Sequence, residues 1–143
     1  MAKIKNNWKD DIVDVETLEL DLQNPRLPKH VRDQNDITQI RNYLLDKEDV
    51  FRIVRSIANN GYHRSAVAIV CRENSKLVVL DGNRRLVACQ LLLKPELATN
   101  ARDKKELEEL NKITNKQELK KVKIAIAPSR KEAEKEIWDI HVN

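Results

Sequence analysis

A chain of 143 residues is long enough to bury one hydrophobic core and short for two. Charged residues make up 35% of it, yet 27 Lys and Arg nearly cancel 23 Asp and Glu, leaving a net charge of +4. That balance allows contact with a polyanion but lacks the strong basic excess of a dedicated duplex binder. No apolar run approaches the ~18 residues of a membrane span and the first residues have no signal-peptide core, so a cytoplasmic protein is expected, with no membrane partner.

After a polar start holding an isolated Trp8, Ile12-Val13-Asp14-Val15 and Leu18-Glu19-Leu20-Asp21-Leu22 alternate in the manner of short strands. Asn24-Pro25-Arg26-Leu27-Pro28 ends that stretch, because neither proline continues a ladder. Asp36 with Gln39 three residues on predicts a helix over 36–45, with Ile37, Ile40, Tyr43 and Leu44 on one face. Val50, Ile53, Val54 and Ile57 predict a second helix over 47–59, closed by Asn59-Asn60-Gly61.

Residues 66–72 and 77–80 read as an antiparallel hairpin around the polar turn Glu73-Asn74-Ser75-Lys76. The second strand delivers the chain into Asp81-Gly82, and residues 83–93 are apolar on nearly every face, as a central buried helix would be. Pro95 stops it. Residues 96–121 are charged and helix-prone with a thin stripe of Leu107, Leu110 and Ile113, which predicts a solvated helical insertion, with a partner-binding arm as the alternative. Val122, Ile124 and Ile126 alternate as a last strand, Pro128-Ser129 starts a last helix, and Ala133, Ile137 and Ile140 form its expected inner face. That helix lacks a closing signal, so the domain is expected to be the N-terminal part of a longer protein. The fold class expected is α/β, or α+β: one domain with a small mixed sheet and a strand hairpin packed against several helices.

Two cysteines, Cys71 and Cys89, fall in apolar runs without the spacing of a metal site or a disulfide framework, which predicts reduced core thiols. His30 and His141 are too scattered for zinc. No Ser/His/Asp series, Walker loop or His-Glu-x-x-His is present.

The chemistry concentrates at Asp81-Gly82-Asn83-Arg84-Arg85. A glycine between strand and helix lets the backbone approach a ligand, and the first-turn amides beyond it point outward. Cations in the first turn of a helix oppose its dipole at a cost of roughly 0.3 to 1 kcal/mol each, and an anion bound there reverses the sign. Without a ligand, Asp81 and a second carboxylate would have to neutralise the two arginines.

Gly82-Asn83-Arg84-Arg85-Leu86-Val87-Ala88 resembles the Gly-Glu-Arg-Arg-x-x-Ala phosphate motif of the ParB/sulfiredoxin superfamily. Two looser matches support it: Asn24-Pro25-Arg26 stands where ParB N-terminal domains have an Asn-Pro segment, and Gly61-Tyr62-His63-Arg64-Ser65 where they have Gly-x-x-Gln-Pro. The resemblance implies a domain that binds a nucleoside triphosphate with magnesium, CTP in ParB and ATP or ADP in relatives, and hydrolyses it slowly as a switch in a DNA-associated system. Gly82, Asn83, Arg84 and Arg85 would hold the phosphates, Gly61, His63, Arg64 and Ser65 would line the pocket, and Arg26 would reach in from the first segment. Sulfiredoxin's reactive cysteine has no counterpart in Gly82-Asn83-Arg84-Arg85, so sulfinic acid reduction is not expected. The late box that helps hold magnesium is matched loosely by Trp138-Asp139-Ile140-His141-Val142, making Asp139 the candidate magnesium ligand.

Two alternatives stand beside this. One is a metal-dependent DNA nuclease using Asp81, Glu136 and Asp139. The other is a non-catalytic DNA module whose Arg84, Arg85 and surface lysines meet phosphates without reading sequence. Assembly as a homodimer is compatible with each.

Overall fold

The computed structural model describes residues 7–62 and 66–142, with the backbone alone for residues 141 and 142. Strands β1 (Lys9–Asp14), β2 (Leu18–Leu20), β3 (Val67–Glu73), β4 (Lys76–Asp81) and β5 (Lys121–Ala127) make one five-stranded mixed sheet in the order β1-β5-β3-β4-β2. The predicted hairpin is β3 against β4, turned by Asn74 and Ser75 at φ 52° and 68°, the left-handed pair that a two-residue hairpin loop requires. β2 joins β4 and β5 joins β3 in parallel, so each of those pairs needs a long crossover rather than a tight turn. The first crossover holds α1 (Lys29–Asp33), α2 (Ile37–Lys47) and α3 (Val50–Asn60), and the second holds α4 (Asn83–Leu93), α5 (Ala101–Ile113) and α6 (Lys116–Lys120). α7 (Arg130–Val142) follows β5.

Local chemistry sets the helix ends. Asp36 caps α2 by accepting the N–H groups of Thr38 at 2.8 Å and Gln39 at 3.4 Å. Lys47, expected to open the next helix, instead closes α2. Asp49 takes a left-handed φ of 58° and breaks the run, so α3 starts at Val50.

Strand alternation divides the apolar residues between two sides of the sheet. Val70, Val79 and Ile124 join the main core with Leu86, Val87, Leu91 and Leu92 of α4, so α4 is the central helix that its composition predicts. Ile69, Cys71 and Ala127 face the other way and are covered by Ala133 of α7. This second cluster is too small to cover the last turn of α7. Ala133 is buried and Ile137 packs against the cluster, whereas Ile140, expected on the inner face, is 52% exposed.

The segment 96–121 departs from the expected solvated insertion. Leu107 of α5 and Leu119 of α6 are fully buried and belong to the main core. The Arg55 guanidinium of α3 holds the Glu106 carboxylate of α5 through bonds of 2.8 and 3.2 Å. Only the end of the predicted stripe fails to pack: Ile113 is exposed. The segment's heavy charge lies on its outer face and obscures a narrow buried one.

Both cysteines are buried and free. Burial pushes the Cys71 thiol up to about 11 and the Cys89 thiol up to about 12, so neither forms the nucleophilic thiolate near neutral pH. Iodoacetamide at pH 8 is expected to leave both unmodified in the folded protein and to alkylate both in denaturant, as read by intact mass. Labelling of the native protein within minutes would contradict this burial.

Candidate functional site

The junction of β4 and α4 is built around Gly82. Its φ of +112° is one that L side chains rarely adopt, and a Cβ there would lie 3.3 Å from the Cβ of Ala68 on β3. α4 begins at once: the Leu86 N–H donates to the Gly82 carbonyl at 2.9 Å. The N–H groups of Asn83, Arg84 and Arg85 therefore precede the first intrahelical bond, as the sequence predicts.

Asn83 has a different role from the one expected of it. Its side chain is buried; Nδ2 donates to the Val79 carbonyl at 2.9 Å and Oδ1 accepts the Asp21 N–H at 3.2 Å. It joins β4 to the loop after β2, and it can offer an anion only its backbone amide.

A cavity of about 540 Å³ opens in front of this junction, within the size range of small-molecule sites. Asp81, Gly82, Asn83, Arg84 and Arg85 line it, and the loop after β2 brings Arg26 to the same wall. Arg26 is largely exposed and lies 3.9 Å from a Glu48 carboxylate oxygen. Its own loop is held by the Asn24 side chain, which accepts the Arg26 N–H at 3.0 Å. Arg84 is half-buried and its guanidinium donates to the Glu48 backbone carbonyl at 3.4 Å. Among the described residues neither Arg84 nor Arg85 is ion-paired, so the described fold shows no neutralisation of either by Asp81 or a second carboxylate.

Sequence reasoning missed the cavity's other charged wall. Arg130, at the start of α7, makes bonds of 3.0 and 3.1 Å to the Asp21 carboxylate and two of 2.8 Å to Glu73. Asp21, 2% exposed, also accepts the Gln23 N–H at 2.9 Å. Arg130 holds the Glu73 carboxyl below its ordinary range, chiefly by these hydrogen bonds. A hydrogen-bonded path thus runs from Asn83 through Asp21 and Arg130 to Glu73, linking the starts of α4 and α7. One signal was available: Arg130, like Arg84 and Arg85, is a cation in the first turn of a helix, a position that calls for a compensating anion.

Other predicted site residues fall elsewhere. Gly61 closes α3 at φ +85°, where a Cβ would meet the Glu118 carboxylate at 3.1 Å, and it is not among the residues lining the cavity. Its glycine identity answers to backbone conformation and to α6. His63, Arg64 and Ser65 lie outside the described residues. Asp139 is exposed on α7 and does not line the cavity, because the helical turn that presents Glu134 and Trp138 to it points Asp139 away. Glu136 lines a second cavity with Asp10, Asp81 and Arg85. Among the described residues no group of three His, Cys, Asp or Glu is placed to hold a metal ion, and no helix is long and apolar enough to cross a membrane. No family model, curated protein or solved structure matches the chain.

Proposed function

We propose that this is a cytoplasmic nucleotide-binding domain of the ParB/sulfiredoxin kind, taking a nucleoside triphosphate such as CTP or ATP. One observation supports this above the others: two arginines without ion-pair partners among the described residues, at the amino end of a buried helix, on the wall of a ligand-sized cavity. The Arg84 and Arg85 guanidiniums and the amides at the start of α4 would hold the phosphates, with Arg26 adding charge from the loop after β2.

Magnesium fits this site as an ion that arrives with the phosphates, since it keeps several waters and needs only one or two carboxylates from the protein. Glu48, Asp81 and Glu134 line the cavity beside the Arg130-bound Asp21 and are the carboxylates that could meet such an ion, whereas Asp139 does not line it. Such an ion would supply charge neutralisation between phosphate oxygens.

The test is calorimetric titration with ATP, CTP and GTP in magnesium, with short duplex DNA in parallel. Saturable binding of a nucleotide is expected, weakened about 10- to 100-fold by Arg84→Ala or Arg85→Ala, the loss of one charge-assisted contact of about 1.5 to 3 kcal/mol. Unchanged affinity in both variants would sink the reading. Binding of DNA alone, steeply weakened by salt, would favour the non-catalytic DNA module.

A further inference from the structure

The charged wall of the cavity has an aromatic counterpart. Trp138 lines the same cavity as Arg84 and Arg85, and it is 67% exposed in a chain whose aromatic content is only 3%. Packing does not account for it, because most of its surface is open. Ile137, Ile53 and Pro25 also line the cavity and add apolar surface to its wall.

The helix bearing Trp138 is fixed at its other end. Arg130 opens α7 and is held by both Asp21 and Glu73. Trp138 lies eight positions further along the helix, roughly 12 Å along the axis at 1.5 Å per residue. α7 therefore spans the cavity rim, anchored beside the α4 start and presenting an indole further along.

Resting on the nucleotide reading above, we propose that Trp138 is the platform on which the base of the bound nucleotide stacks. An indole offers a large, rigid π-face that any base can use. The division of labour is then spatial: arginines and helix amides hold phosphate, and the indole holds the base. Affinity for a nucleotide exceeds affinity for its bare polyphosphate by what that stacking contributes, on the order of 10- to 100-fold.

The experiment compares inorganic tripolyphosphate with ATP and CTP, each with magnesium, by calorimetry on the full chain and on Trp138→Ala and Trp138→Phe. Expected is a 10- to 100-fold loss of nucleotide affinity in Trp138→Ala with tripolyphosphate unchanged, and retention of most affinity in Trp138→Phe. In a Trp8→Phe background Trp138 is the sole indole, and its fluorescence is expected to be quenched by nucleotide but not by tripolyphosphate. Equal nucleotide affinity in Trp138→Ala and the parent would overturn the platform and leave the phosphate site standing. A parallel loss of tripolyphosphate and nucleotide in Trp138→Ala would assign Trp138 to folding and overturn it likewise. If neither tripolyphosphate nor any nucleotide binds the parent chain, the nucleotide reading itself fails, and the platform with it.

Discussion

Replacing Arg130 with alanine is expected to destabilise the protein by about 3 kcal/mol, the lower end of the cost of removing one partner from a buried ion pair. The lower end applies because the Arg130 side chain is 22% exposed. The cost comes from what is left behind. Asp21 keeps its Gln23 amide but loses both guanidinium bonds in a 2% exposed site, and Glu73 loses its counter-ion. For a domain of this size the midpoint of thermal unfolding should fall by roughly 10 °C. Pairing Arg130→Met with Asp21→Asn should recover part of the loss, since the second change removes the stranded charge, and a double-mutant cycle would measure it. Additive single effects would show that the contact does not couple the two residues.

The same network gives stability an acid limb. Arg130 lowers the Glu73 carboxyl in the folded state, so that carboxylate's contribution is fully present above its unfolded value of about 4.3 and is lost as pH falls through the lower folded value. Denaturation midpoints at pH 7 and pH 3 should differ less in Arg130→Ala than in the parent. An unchanged difference would mean that Glu73 draws its shift from elsewhere.

Leu107→Ala is expected to cost about 2 to 5 kcal/mol, the range for deleting a buried leucine and leaving a cavity. It tests whether the charged segment 96–121 is an appendage or part of the domain. Leu107 is fully buried in the main core. Alanine at exposed Ile113, on the same helix, should cost under 0.5 kcal/mol. Equal small effects at both positions, read by chemical denaturation, would return the segment to the status of a solvated insertion.

Much of the architecture was legible in local chemistry. The hairpin, the central helix with its bounds at Asn83 and Leu93, the Asp36 cap and the last strand all follow from periodicity, capping and turn residues, which act within a few positions along the chain. The break between α2 and α3 was misplaced by three residues because a left-handed aspartate, unlike glycine, leaves no compositional mark. The narrow inner face of α5 was visible, but whether anything lay opposite it was not.

The sequence by itself determined that Gly82 stands between a strand and a buried helix with two arginines in the first turn, because each of those properties belongs to neighbouring residues. Only the tertiary structure decided which distant groups meet there. Arg26 arrives from a loop after β2, Trp138 and Arg130 from a helix after β5, and Asp21 is 109 residues from the guanidinium it pairs with. Such pairings are set by sheet order and by the side of the sheet on which each residue emerges. The same cause turned the Asn83 side chain to Val79 and Asp21, leaving only its backbone amide for an anion, and left Asp139 outside the cavity: a side chain's chemistry is local, but the direction in which it points is a property of the assembled fold.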